Sequence, residues 1–236
     1  MEGSRGELRV LQINLDRGRL ATDLLHQEIR EGSVDVVLGL EPGGQGNFVR
    51  DRCDDSFIWL APGVGVQSIH RDRGFVAAEL DGITLVSAYF SPNKTTAEFS
   101  AWLGRLEEYV RGRDSRRVFI AGDLNAKSGR FGSVVGNAYG RVLEEFLEAT
   151  ALIPINTGGE WTFSNRMGSS LIDVTMAGDK VASRVRMWKV ENERESGSCH
   201  RYFTYRIKPR GEIEVAENVR EWEKAKGWKL SERGLE

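Results

Sequence analysis

Residues 75–127 read FVAAELDGITLVSAYFSPNKTTAEFSAWLGRLEEYVRGRDSRRVFIAGDLNAK, and three kinds of pattern follow one another within them. FVAAEL (75–80) and ITLVSAYF (83–90) are strand-like runs on either side of Asp81-Gly82, the strongest short hairpin signal, so these strands are expected to be antiparallel. Thr95 and Glu98 then form a capping box that opens a helix with Phe99, Trp102, Leu103, Leu106, Tyr109 and Val110 at spacings of three and four. RRVFIAGDLNAK (116–127) is a strand running into a polar loop.

The same alternation continues on both sides. LRVLQIN (8–14) and VDVVLGLEP (34–42) read as buried strands around a helix over 19–30 with Leu20, Leu24, Leu25 and Ile29 on one face. Residues 139–149 form a further amphipathic helix around Val142, Leu143, Phe146 and Leu147, and LIDVTMA (171–177) and HRYFTYRI (200–207) are the last strands. Parallel and antiparallel strands with helices between them argue for an α/β (or α+β) architecture with two sheets and helices outside. After Pro209 few apolar positions remain, so residues 1–209 are expected to form one domain and 210–236 a peripheral helix or linker.

Composition narrows the classes. With 236 residues, 40% hydrophobic and 29% charged, the chain is neither a disordered tail nor a membrane protein, and no apolar run approaches the ~20 residues of a membrane-spanning helix. MEGSRGELRV lacks a signal-peptide core, and two cysteines with three histidines exclude a disulfide framework and a structural zinc site of the usual spacing. A reducing, intracellular setting is expected. The net charge is −2, yet residues 111–130 carry six basic groups against two acidic ones, and 184–210 carry eight against three. Such patches suit phosphates as well as solvent.

Polar residues stand where the apolar runs stop: Asn14, Glu41, Tyr89 with Asn93, Asp123 with Asn125, Asp173 and His200. Ligands of α/β proteins gather beyond strand ends, so these residues are expected to converge, although each alone could end a strand or bond its own loop. As a set they hold carboxylates for a hard divalent cation and for taking a proton from water, amides and a phenol for phosphate oxygens, and a histidine for developing charge. That inventory suits metal-assisted hydrolysis of a phosphate ester. GVGVQS (63–68) is no phosphate loop, because no Lys-Ser/Thr follows; Asn93-Lys94-Thr95 is a sequon of little meaning inside a cell; and no G-x-S-x-G elbow is present.

The ordered series QIN (12–14), GLEP (39–42), SAYFSPN (87–93), AGDLNAKS (121–128), SSLIDVT (169–175) and SGSCHRYF (196–203) resembles the endonuclease/exonuclease/phosphatase superfamily. More narrowly it is similar to the apurinic-type endonuclease domain of non-LTR retrotransposons, over residues 8–208. GDLNAKS, WTFSNRMGSSLID and the final HRYF point to the arthropod, site-specific branch that inserts into ribosomal DNA. The resemblance implies a four-layer sandwich of two mixed β-sheets flanked by helices. It implies that Glu41 holds Mg²⁺ with Asn14 close by, that Asp123 orients and deprotonates water, and that Asn125 places water and phosphate. It further implies that Tyr89 meets a phosphate oxygen, Asp173 supports the site and His200 stabilises the developing charge. The partners implied are double-stranded DNA and a downstream reverse transcriptase domain of the same polyprotein, in the nucleus and without a membrane. The product is a nick with a 3′-hydroxyl for target-primed reverse transcription.

This chain departs from the family at Lys127, where repair enzymes of the superfamily usually carry histidine and retroelement relatives often lysine, and at Cys199. The family usually ends in Ser-Asp-His, whereas this chain reads Ser198-Cys199-His200. The missing aspartate is expected to have oriented and charge-stabilised the histidine and to have helped hold metal, which implies an impaired nuclease. Arg71, Arg73, Arg130 and Arg166, in Gly-rich or polar loops, are the candidates for phosphate contacts. Two other readings stay open on sequence alone. One is a phosphoesterase of the same superfamily acting on abasic DNA or on lipid phosphates; the other is a catalytically dead DNA-binding module.

Overall fold

The computed structural model describes residues 7–44, 46–156 and 158–208; the tail expected over 210–236 lies outside them. The first half of the chain forms β1 (Leu8–Asn14), α1 (Arg19–Arg30), β2 (Val36–Leu40), β3 (Val49–Arg50), β4 (Ser56–Leu60), β5 (Ser68–Arg71), β6 (Phe75–Leu80), β7 (Ile83–Tyr89) and α2 (Thr96–Arg111). The second half adds β8 (Val118–Asp123), α3 (Ala138–Thr150), β9 (Ile153–Pro154), β10 (Phe163–Asn165), β11 (Gly168–Ser170), β12 (Asp173–Ala177), α4 (Asp179–Ala182), β13 (Val185–Glu191) and β14 (Tyr202–Ile207). No helix among the described residues is long and apolar enough to cross a membrane.

Two six-stranded sheets result, ordered β13-β14-β1-β2-β4-β3 and β5-β6-β7-β8-β12-β9, with β10–β11 a separate hairpin. Each sheet is mixed. Its one parallel pair, β1–β2 or β7–β8, is joined by a helix, and the other pairings are antiparallel. The expected hairpin across Asp81-Gly82 pairs Leu80 with Ile83.

Side-chain alternation on these strands makes the layers. Val10, Val36, Leu38, Leu85, Phe119, Ala121, Phe203 and Tyr205 fill the space between the sheets. Leu11, Ile13 and Val37 turn outward under α1, and Val86, Ile120, Val174 and Met176 turn outward under α2 and α3. The order is therefore helix, sheet, sheet, helices, the four-layer sandwich the sequence implied.

The capping box of α2 is in place, with Glu98 N–H donating to Thr95 Oγ1 at 3.2 Å and Thr95 N–H donating to Glu98 Oε2 at 2.8 Å. All six of its expected apolar residues are buried. At roughly 2 kcal/mol for each large apolar side chain fully removed from water, that face holds the helix more than its own propensity does. In α1 the buried set differs from expectation. Ala21, Thr22 and Leu25 are buried, and Leu20 is 60% exposed. The loop carrying Gly197, at φ 66°, lies against this end of the helix, where a Cβ on Gly197 would come within 2.9 Å of Leu20 and Ala21.

Candidate active site

The inward-facing rows are apolar in mid-strand and turn polar toward one end. On β1 the row runs Val10, Gln12, Asn14; on β8 Phe119, Ala121, Asp123; on β12 Ala177, Thr175, Asp173. Below the site, Gln12 Nε2 donates to Val174 O at 3.1 Å and Thr175 Oγ1 donates to Gln12 Oε1 at 3.0 Å, joining the two sheets. Ser87 Oγ donates to Gly39 O at 2.9 Å and makes a second such tie. The strand ends therefore stand at a fixed separation, because buried polar groups that find partners hold a unique geometry.

Register does the rest. Tyr89 pairs with Asp123 across β7–β8, and Asp123 pairs with Asp173 across β8–β12. Gly122 permits the first pairing so close to the site, since a Cβ there would come within 1.9 Å of Ala88 O. Two buried carboxylates directly opposite one another repel, and the neighbours offset this. His200 Nδ1–H donates to both oxygens of Asp173 at 3.0 and 2.9 Å, while its Nε2 stands 3.7 Å from Asp123 Oδ2. Asn14 Nδ2 donates to Glu41 Oε2 at 3.1 Å and to Asp123 Oδ2 at 3.0 Å. Asn125 N–H donates to Asp123 Oδ1 at 3.1 Å, and its amide is fixed on Phe90 O at 3.0 Å.

Charge follows from this packing. Burial opposes a proton on His200, but Asp173, Asp123 and Asp16 outweigh it and raise the imidazole to about 9, so it is a cation at neutral pH. Burial and Asp173 push the Asp123 carboxyl above the usual carboxylate range, toward the range of a general base at neutral pH. Burial and the facing Glu41 carboxylate hold the Tyr89 phenol protonated.

A cavity of about 650 Å³ opens over these groups, lined among others by Asp16, Glu41, Tyr89, Asn93, Asp123, Asn125 and His200. Asn14 and Asp173 stand behind the lining and act through the bonds above. The seven expected chemical residues, Asn14, Glu41, Tyr89, Asp123, Asn125, Asp173 and His200, therefore meet at one place. Asn14 turns its amide N–H groups to the carboxylates and accepts Asp16 N–H at 2.8 Å with its oxygen. Asp16, Arg17, Glu41 and Asn125 all have φ between 44° and 51°, four of the seven such non-glycine residues among the described residues. That density of left-handed backbone marks a built site.

Several lining residues went unread in the sequence, and three of them bear directly on the groups above. Asp16 is one, two positions past the strand end it was grouped with. Phe163 is another: it bridges to the His200 backbone and sets its ring 4.9 Å from the imidazole, edge to face, so the hairpin covers one side of the histidine. Asn137 is the third, donating to Asn125 O at 2.9 Å. Phe163 and Asn137 are distant in sequence from what they touch, and only the Asx-type spacing of Asn14 and Asp16 offered a local signal.

The expectation that an aspartate at position 199 orients His200 is corrected, because Asp173 does so from β12. Ser198 Oγ donates to Asn14 O at 2.7 Å and accepts His200 N–H at 3.1 Å, fixing the backbone as well. Burial and the facing Asp16 carboxylate push the Cys199 thiol up, so it stays neutral. The four arginines do not line the cavity. Arg71 ends β5 rather than standing in a loop, Arg73 follows it, Arg130 lies in the short turn Gly129–Phe131, and Arg166 occupies the β10–β11 turn; all four are exposed.

The donor set suits a hard cation. Asp16, Glu41 and Asp123 are the carboxylates that line the cavity; His200, close to Asp123 and Asp173, is a cation bonded to Asp173 and so stands outside the donor set. A second group, Asp51, Cys53 and Asp55, is structural: Asp51 accepts the backbone N–H groups of Asp55 and Gly74 at 2.9 and 2.6 Å.

Two mixed sheets back to back, with carboxylates, amides and an oriented histidine at their strand ends, define a nuclease of the endonuclease/exonuclease/phosphatase superfamily, hydrolysing phosphodiesters. A family model described as endonuclease-reverse transcriptase matches residues 83–204, more than half of the chain, and the protein belongs to that family. The endonuclease domain of TRAS1, a telomere-specific non-LTR retrotransposon, superposes with a TM-score of 0.76 at 27% identity, over 86% of this chain and 98% of that one. The fold is shared with an AP endonuclease from Leishmania major (TM-score 0.67, 15% identity, 87% of this chain and 89% of that one). It is shared also with a 3′-5′ exonuclease from Neisseria meningitidis (TM-score 0.67, 13% identity, 85% and 100%). No curated protein sequence matches significantly.

Proposed function

We propose that this domain nicks one strand of duplex DNA in a Mg²⁺-dependent reaction. It leaves a 3′-hydroxyl that a reverse transcriptase domain of the same polyprotein extends in the nucleus. The observation that carries this reading is the single buried network in which Asn14 ties Glu41 to Asp123 while Asp173 fixes His200. Glu41 and Asp16 would hold the cation, which would screen the phosphate and stabilise the charge that develops on it. Asp123 takes the proton of the attacking water, whose oxygen bonds to phosphorus as the bond to the 3′ oxygen breaks; the departing 3′ oxygen takes a proton from solvent, giving a 5′-phosphate and a 3′-hydroxyl. The Asn125 amide positions the water. The His200 cation and the Tyr89 hydroxyl face the non-bridging oxygens. Lys94 and Lys127, on the cavity wall, receive the flanking phosphates.

Exposed Arg71, Arg73, Arg130 and Arg166 extend this phosphate track, with Arg166 carried on the hairpin beside His200. The narrower placement among ribosomal-DNA-specific elements rests on the motif series. Position 199 withholds a charge from this site rather than an orienting bond, so a weakened but working nuclease is the form we propose. Plasmid nicking with Mg²⁺ and then with EDTA tests the reading, with Glu41→Ala and Asp123→Asn as inactive controls. Equal nicking by parent and controls, or none by the parent on any duplex, overturns it. Preference for an abasic duplex over an intact one would point to repair instead.

A further inference from the structure

Between the short turn that ends at Phe131 and the start of α3, the chain makes a loop, Gly132–Asn137, with an unusual tip. Val134 is 93% exposed and Val135 72%, adjacent apolar side chains that nothing in the described chain covers. The base of the loop is tightly held. Ser133 N–H donates to Ser128 O at 3.1 Å and Ser133 Oγ to Leu171 O at 3.1 Å. Gly132, at φ 92°, packs against Gly158 where a side chain would collide. On the far side, Asn137 Oδ1 accepts Lys127 N–H at 2.9 Å and Gly140 N–H at 2.8 Å, and its amide donates to Asn125 O. The tip is thus keyed to the segment that carries Asp123, Asn125 and Lys127, and Asn137 itself lines the cavity.

We infer that Val134 and Val135 form an apolar wedge that enters the DNA duplex beside the scissile phosphate and unstacks a base step there. The inference rests on the nuclease reading above and adds to it how the duplex is gripped. A rigid, water-exposed apolar tip at the rim of a phosphate site has one kind of apolar surface to meet on a nucleic acid, the faces and groove edges of bases. Lys127, whose backbone N–H is bonded to Asn137 at the base of the loop and which lines the cavity, and the exposed Arg130, four residues before the tip, supply positive charge on the same segment for the neighbouring phosphates. Opening a step also loosens the backbone that must fit the cavity.

The test uses the whole chain and its Val134→Ser/Val135→Ser double variant. The nick position is first mapped on plasmid, and a duplex with 2-aminopurine at the adjoining steps is then made. Binding is read in EDTA and nicking in Mg²⁺. The parent should brighten 2-aminopurine on binding. The variant, with an unchanged melting temperature, should lose that signal and about tenfold in kcat/KM, as expected for removing two apolar contacts. The salt dependence of binding should keep its slope, because valines release no counterions. Equal fluorescence and equal nicking in the two proteins overturn the wedge. So does a loss of nicking with the fluorescence intact, which would assign the loop to holding the Asn125–Lys127 segment in place rather than to contact with bases. Failure of the parent to bind or nick any duplex sinks the nuclease reading itself, a distinct result.

Discussion

Asp173→Asn is the sharpest probe of the site. The His200 ring has two carboxylate neighbours, but only Asp173 bonds it directly, at 2.9 and 3.0 Å from Nδ1. Burial by itself lowers the histidine, so with the Asp173 charge removed the imidazole should fall from about 9 to near or below its ordinary 6.5. At 1.36 kcal/mol for each tenfold change, that is about 3 kcal/mol of interaction. The sign for stability follows. A histidine raised in the folded state stabilises fully below 6.5, and that stabilisation is lost as pH rises through about 9. The metal-free parent should therefore lose about 3 kcal/mol between those limits on this account, and the variant should lose little. The assay is the His200 ring-proton titration by NMR in metal-free protein, with urea unfolding at the two pH values. Nicking should fall about 10³-fold, near the 10⁴-fold cost of the same replacement beside the histidine of serine proteases. A variant whose His200 still titrates near the parent value would refute the claim that Asp173 sets its charge.

Gln12→Leu keeps the volume but removes the ties to Val174 and Thr175, so unfolding free energy should drop by about 2 kcal/mol and kcat should fall with KM little changed; denaturant titration and steady-state nicking read both. Cys199→Asp sets a second carboxylate beside Asp16: melting temperature should drop in EDTA and recover with Mg²⁺, and nicking at low Mg²⁺ should rise, whereas a melting temperature indifferent to Mg²⁺ would count against a cation at this end of the site. Gly122→Ala drives a methyl into the Ala88 carbonyl and should cost about 3 kcal/mol or prevent folding, seen in urea unfolding and soluble yield. Nicking by the parent should weaken steeply as salt is raised toward physiological levels, and a flat response would speak against duplex DNA as substrate.

Much of the frame was legible because it is local. The periods of two and of about 3.6 in apolar residues marked β1, α1, β2, the β6–β7 hairpin, α2, β8, α3, β12 and β14, and the Thr95–Glu98 box marked where α2 begins. Most strands that escaped lack such a signal: β5 has only His70 half-buried, β13 carries one buried side chain, and β3, β9, β10 and β11 span two or three residues; β4, with Phe57 and Ile58 buried in SFIWL, carried an apolar run that went unread. The family series of polar residues at strand ends named the chemistry in advance, since a strand that must stop at a wet cavity ends in polar side chains.

The sequence by itself determined which residues could do the chemistry and that they stand at strand ends, because alternation and strand length are properties of neighbouring residues. Which carboxylate serves which partner was decided by the tertiary structure alone. Asp123 and Asp173 oppose one another only because β8 and β12 pair in that register. His200 is oriented by a residue 27 positions away rather than by its neighbour at 199. Asp16 reaches the cavity only through a left-handed turn closed on Asn14. Such pairings are fixed by the packing of two sheets across a shared core, and a linear pattern carries no record of that distance.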